Sequence, residues 1–113
     1  MEIKSLREAS EFSSEQFTKR IVYKKGESVV FVLNFNPGQE LPPHKHPGTN
    51  IFILVLEGNG TITVDGASSE VTAEDVICCE GGEQFSFKNT GSGKARLYVE
   101  LVKIPDESYA KNI

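Results

Sequence analysis

Several features that define large classes of protein are scarce or missing in this chain of 113 residues. It has no tryptophan, one methionine, two cysteines and two histidines. Two cysteines are too few for the disulfide framework of a small secreted domain. No apolar run approaches the roughly 20 residues that a membrane-spanning helix needs, so we expect no membrane partner.

An excess of basic residues is also missing. Twelve Lys and Arg stand against sixteen Asp and Glu, which gives a net charge of −4. A surface of this sign repels phosphate backbones, so we expect no nucleic-acid partner. The segment 1–5 carries no apolar stretch of the kind found in a secretory signal, and we expect a soluble, cytoplasmic protein.

The chain instead contains short apolar runs separated by turn residues, which is typical of an all-β sandwich or barrel. Strands are expected at 19–24, 28–35, 51–56, 61–64, 70–72, 76–79, 84–88 and 96–102. Asp65 and Gly66 have the chemistry of a tight hairpin turn, which needs positive φ. We divide this single domain into an N-terminal arm with the first strand (1–27), a barrel (28–104) and a C-terminal tail (105–113).

The only two histidines, His44 and His46, are separated by one residue. On one β-strand such side chains leave the same face, so two imidazoles can converge on one metal ion. No set of serine, histidine and carboxylate is readable, because neither histidine has an identifiable acid to orient it. We therefore assign no catalytic residue.

The segment around these histidines resembles the first motif of the cupin family. That motif runs glycine, five residues, His-x-His, a short spacer, glutamate, six residues and glycine. Gly38, His44, His46 and Gly58 fall at the family spacing. Residues 74–91 are similar to the second cupin motif, and the likeness covers about residues 28–102. The resemblance implies a cupin double-stranded β-helix, a jelly-roll barrel of two antiparallel sheets whose cavity mouth is lined by the histidines.

Two departures from the family pattern concern metal ligands. Ile51 stands where the resemblance places the glutamate, and Phe85 stands where it places the third histidine. Neither side chain can ligate a metal. A substitute ligand would have to come from elsewhere, and the candidates are Asn50, Gln84 and Cys79. Cys78 and its neighbour point to opposite faces of a strand, and the sequence does not decide which thiol faces inward.

Two functions stay open at this point. In the first, the barrel binds a small molecule in its cavity, the metal site is degenerate, and His44 and His46 are polar anchors. The cavity walls are then expected to be Ile51, Ile53, Val55, Phe85 and Phe87. In the second, the barrel is a metal-dependent enzyme of the dioxygenase, isomerase or decarboxylase type that the resemblance implies. The histidines and a substitute ligand would hold one divalent ion (Mn, Fe, Ni or Zn), and a barrel without metal is equally plausible.

The strands expected at Val29–Leu33 and Ile51–Leu56 are apolar on both faces. One face fills the barrel, and the other needs a cover to keep it from water. We expect a homodimer that stacks sheet against sheet. The alternative is that the N-terminal arm or the C-terminal tail folds over the apolar face.

Overall fold

The computed structural model describes residues 1–103, which form one short 3₁₀ helix and nine strands. The helix is Leu6–Ala9. The strands are β1 (Thr18–Lys25), β2 (Ser28–Phe35), β3 (Glu40–His44), β4 (Asn50–Glu57), β5 (Asn59–Val64), β6 (Ala67–Thr72), β7 (Val76–Glu80), β8 (Phe85–Lys88) and β9 (Ala95–Val102). The tail expected at 105–113 lies outside the described residues. Within 1–103, no helix is long and apolar enough to cross a membrane.

The strands form two sheets in which all pairings are antiparallel. The five-stranded sheet has the order β1-β2-β9-β4-β7, and the four-stranded sheet has the order β3-β8-β5-β6. Six of the eight connections along the chain, all except the β1–β2 and β5–β6 hairpins, cross from one sheet to the other, which is the arrangement of a jelly roll. This confirms the fold predicted from the sequence.

Alternation along the strands places the core between the two sheets. In β4, Ile51, Ile53 and Val55 are at most 1% exposed, whereas the intervening Phe52 is 38% exposed. Because successive side chains leave opposite faces of a strand, only every second residue enters the core. Phe35 of one sheet meets Phe87 of the other with ring centroids 4.9 Å apart, which joins the two layers.

The proline-rich segment before the histidines forms β3 at an edge of the four-stranded sheet. Pro42 and Pro43 are tolerated there because an edge strand does not need every N–H for pairing. The strand ends at His44, and His46 lies beyond it in the loop that leads to β4. The expectation that both histidines lie on one strand is therefore wrong.

The N-terminal arm covers part of the outer face of the five-stranded sheet. Ala9 packs against Val22 and Val32, and the buried Asn34 donates from Nδ2 to the Ala9 carbonyl at 2.7 Å. On β2, the N-terminal arm therefore covers part of the outer apolar face, which is the alternative to a homodimer given in the sequence analysis. On the outer face of β4, Phe52 keeps partial exposure, and a homodimer that covers this region stays a prediction.

Candidate functional site

A cavity of about 210 Å³ contains both histidines in its wall. Its polar lining consists of Lys19, His44 and His46. Its apolar lining consists of Phe17, Phe31, Leu33, Leu41, Phe85 and Val99. Both sheets contribute to this wall, so the cavity exists only once they are packed together. A mostly apolar hollow with a few convergent polar groups is the usual form of a small-molecule site.

The two imidazole rings lie edge to face, with centroids 4.8 Å apart and planes at 86°. His44 Nδ1 lies 3.0 Å from the Pro42 carbonyl oxygen. Because a carbonyl can only accept, Nδ1 carries the proton and donates it. In the neutral ring, Nε2 is then the acceptor. The hydrogen bond from Nδ1 to the backbone fixes the orientation of the ring, as in many histidines that bind metals or ligands.

The position of His46 depends on a distant turn between β7 and β8. Its backbone N–H donates to the Gly81 carbonyl at 3.0 Å, and the Gly81 N–H donates to the Thr49 carbonyl at 2.8 Å. The Thr49 hydroxyl donates back to the His46 carbonyl at 2.7 Å. A Cβ at Gly81 would overlap the carbonyl oxygens of both His46 and Thr49. Only glycine therefore lets the two loops approach this closely.

Phe85 occupies the position where the resemblance places a third histidine. It is the register partner of His44, and its ring centroid lies 4.3 Å from that of His44 and 6.1 Å from that of His46. It is 3% exposed. The aromatic ring thus forms an apolar wall beside both imidazoles, where a metal site would need a donor atom.

The lining of this cavity contains a lysine and no Asp or Glu. The Lys19 ammonium lies 4.4 Å from the centroid of the Phe31 ring, which itself lines the cavity. Burial lowers the pKa of His46, and the charges of His44 and Lys19 lower it further. His46 is therefore neutral at neutral pH, since its ordinary pKa is already near 6.5.

Of the five residues expected to line the cavity, Phe85 does so. The other four, Ile51, Ile53, Val55 and Phe87, pack in the hydrophobic core and are not among the residues of this wall. The true walls include Phe17, Lys19 and Phe31, which the sequence reasoning missed. Nothing in the sequence around these residues indicates a cavity wall. They reach the cavity only because β1 pairs with β2 and β2 pairs with the rest of the sheet.

The three candidate substitute ligands lie in different surroundings. Asn50 borders a separate hollow with Gly48, Thr49 and Glu80. Gln84 is exposed. Cys79 is buried in the core, where burial and then the charge of Glu83 raise the pKa of its thiol, and Cys78 is the exposed neighbour.

A metal ion of the usual cupin kind does not fit the donors that the structure describes. In residues 1–103 no three side chains from His, Cys, Asp and Glu are grouped so as to hold a metal. A catalytic metal site normally takes three protein ligands. Two imidazoles beside a phenyl ring supply only two of them.

Comparison with protein families identifies one match over most of the chain. The model of the Cupin domain family matches residues 31–101. Dimethylsulfoniopropionate lyase DddW of Ruegeria pomeroyi is 42% identical over 45 residues, which are 40% of this chain and 29% of that enzyme. The chain spans less than half the length of the curated relatives it matches.

Solved structures show the same fold at lower sequence identity. The TT1209 protein of Thermus thermophilus superposes with a TM-score of 0.85 and 23% identity, over 93% of this chain and all (100%) of that one. A predicted oxalate decarboxylase of Thermotoga maritima gives 0.81 and 20%, over 91% of this chain and 100% of that one. At this level of identity, the likeness extends to the fold alone.

Proposed function

The chain belongs to the Cupin domain family, and from this membership and the geometry of the cavity we propose that it binds a small molecule between its two sheets. The observation that carries the proposal is the ring of Phe85, whose centroid lies 4.3 Å from that of His44 and 6.1 Å from that of His46, at the position where the family resemblance places a third ligand. In this proposal the metal site of the family is degenerate, and the space serves as an apolar pocket.

The size of the pocket limits the ligand. Its volume of about 210 Å³ is below the roughly 300–1,000 Å³ of pockets that take drug-sized ligands. A single ring or a short chain that buries roughly 100–150 Å² of apolar surface gains about 3–4 kcal/mol before the costs of association. Binding through the apolar wall alone would therefore be weak, and the polar anchors must contribute.

His44 and His46 supply these anchors. In an uncharged His44 ring the Nε2 atom accepts a hydrogen bond, because the Nδ1–H is already bonded to the Pro42 carbonyl. Neutral His46 offers one donor and one acceptor. The proposed ligand therefore has an apolar body and a polar group that reaches the histidines.

A metal-dependent enzyme is the second candidate function, and one observation favours it. The two imidazoles lie at 4.8 Å with one tautomer directed by a backbone carbonyl, which is how histidine ligands are commonly oriented. Relatives whose names denote enzymes, such as the lyase of Ruegeria pomeroyi, are consistent with this candidate. Against it stands the finding that no third His, Cys, Asp or Glu of residues 1–103 is grouped with the two histidines so as to hold a metal.

Nuclear magnetic resonance titration of ¹⁵N-labelled, EDTA-treated protein with small aromatic and aliphatic fragments tests the first candidate. We expect saturable shifts at the cavity residues that disappear in Leu41→Trp, which fills the cavity. Thr63→Trp adds the same side chain away from this cavity and should leave binding intact. Binding that survives Leu41→Trp, or that appears nowhere, would contradict the proposal.

Metal content separates the two candidates. Wild-type protein purified without chelator should contain little bound metal. The double variant His44→Ala/His46→Ala should contain the same small amount. Near-stoichiometric metal in the wild type that is lost in the variant would favour the enzyme instead.

A further inference from the structure

We infer that the pocket selects a small organic anion, a monocarboxylate with a short aliphatic or single-ring body, and that Lys19 is the residue that selects it. The inference rests on the proposed function, because it names the class of ligand that the same cavity takes.

The first support is the position of Lys19. It lies on β1, and its ammonium stands over the face of Phe31, with the ring centroid 4.4 Å away. Both residues line the cavity. A cation held over an aromatic face is attracted by the negative charge density of that face, so the ammonium is retained at the cavity wall although the side chain is exposed.

The second support is that the charge of Lys19 is not matched within the described structure. Its neighbour Arg20 pairs with Glu11, and the other ion pairs of residues 1–103 join Lys25 to Glu2 and Lys103 to Glu27. None of these pairs includes Lys19, and the cavity lining contains no Asp or Glu. An anion in the cavity would therefore meet a positive charge with no carboxylate among the lining residues to compete for it.

The third support is the combination of groups in one small space. Besides Lys19, the wall offers the nitrogen atoms of His44 and His46 and six apolar side chains. A carboxylate accepts hydrogen bonds from the Lys19 ammonium and from the N–H of His46, since the Nδ1–H of His44 is bonded to the Pro42 carbonyl. A hydrocarbon body contacts the apolar wall. Neither a fully polar anion nor a neutral hydrocarbon would use both parts of this lining.

Two pairs of probes test the inference: benzoate against benzamide, and hexanoate against hexanamide. Each pair keeps the body and replaces a charged carboxylate by a neutral carboxamide of the same shape, in which an NH₂ donor stands in place of one oxygen. Dissociation constants would be measured by the same resonance titration, at low and at high salt. In the wild type, we expect each carboxylate to bind about three- to tenfold more tightly than its amide, with a smaller ratio at high salt.

Two charge variants on the same strand make the test specific. Lys19→Gln should bring the carboxylate-to-amide ratio close to one. Lys24→Gln removes the same charge from β1 outside the cavity lining and should keep the wild-type ratio. Lys19→Arg preserves the positive charge and should retain most of the preference.

The outcomes distinguish failure of the inference from failure of the proposed function. Equal binding of carboxylates and amides in the wild type would overturn the inference and leave the small-molecule pocket standing. An equal loss of preference in Lys19→Gln and Lys24→Gln would assign the effect to net charge and would also overturn it. If neither member of any pair shifts the cavity resonances at high millimolar concentration, both the pocket and its anion selectivity are refuted.

Discussion

Replacing Phe85 with histidine should convert the degenerate site into one that binds metal. The Phe85 ring is 3% exposed and has its centroid 4.3 Å from the ring of His44. A third imidazole at this position would complete the three protein ligands that a catalytic zinc site normally takes. Phe85→His is therefore expected to bind Co²⁺ or Zn²⁺ where the wild type does not.

The magnitudes follow from burial and from ligand linkage. Without metal, the variant replaces a buried phenyl ring by a smaller ring with polar atoms, which should destabilise the fold by about 2–4 kcal/mol. Metal at 100 to 1,000 times the dissociation constant restores about 3–4 kcal/mol, because it binds the folded state. For a chain of this size these changes correspond to melting-temperature shifts of roughly 10–15 °C in opposite directions.

Thermal and urea denaturation in EDTA measures the destabilisation of the metal-free variant, and the same experiment with added metal measures the stabilisation by binding. The visible absorption of bound Co²⁺ reports how the ion is coordinated. Phe87→His is the matched control. Phe87 lies on the same strand, is 2% exposed and packs against Phe35, but it does not line the cavity. If metal stabilises Phe85→His no more than Phe87→His, the assignment of the third-ligand position to Phe85 is incorrect.

Three further predictions concern the supports of the site and the core. Gly81→Ala should displace the His46 loop, cost about 1–3 kcal/mol of unfolding free energy and shift the His46 ring resonances, whereas Gly82→Ala should be nearly neutral because its Cβ meets open space; similar spectra for both variants would contradict this. Asn34→Ala should cost about 2–3 kcal/mol and accelerate tryptic cleavage in the arm, because the Ala9 carbonyl loses its buried donor; unchanged cleavage would refute the anchoring role. Because burial raises the pKa of Cys79, the unfolded chain releases this thiol proton at lower pH than the folded chain does. The free energy of unfolding should therefore decrease as the pH rises above about 8.5, with a smaller slope in Cys79→Ala than in the wild type; equal slopes in Cys79→Ala and the wild type would disprove the assignment.

The sheet interior was predictable from local pattern. The alternation of β4, with Ile51, Ile53 and Val55 inward, follows from the two-residue period of a strand. The turn at Asp65 and Gly66 was also predictable, and both residues have the expected positive φ, 48° and 84°. These features depend on residues close together in the chain, so a single sequence contains the information.

The walls of the cavity were harder to predict. Phe85 was expected there because the resemblance to the family places the third histidine of the site at this position. Lys19 was missed because nothing in the sequence near it indicates a site, and its role depends on the antiparallel register of β1 with β2, which carries Phe31. Register between strands is decided by packing of whole faces, which local spacing does not encode.

The sequence by itself determined eight of the nine strands, the turn at Asp65 and Gly66 and the pair of histidines, because each is a matter of residue type at a fixed spacing. It did not indicate β3, because the two prolines of that segment are unfavourable in a strand away from a sheet edge. Only the tertiary structure decided where the cavity lies, that His46 is held by Gly81, and that Lys19 stands at the cavity wall. The physical reason is that these contacts join segments distant in the chain, and they form only when both sheets pack around one core.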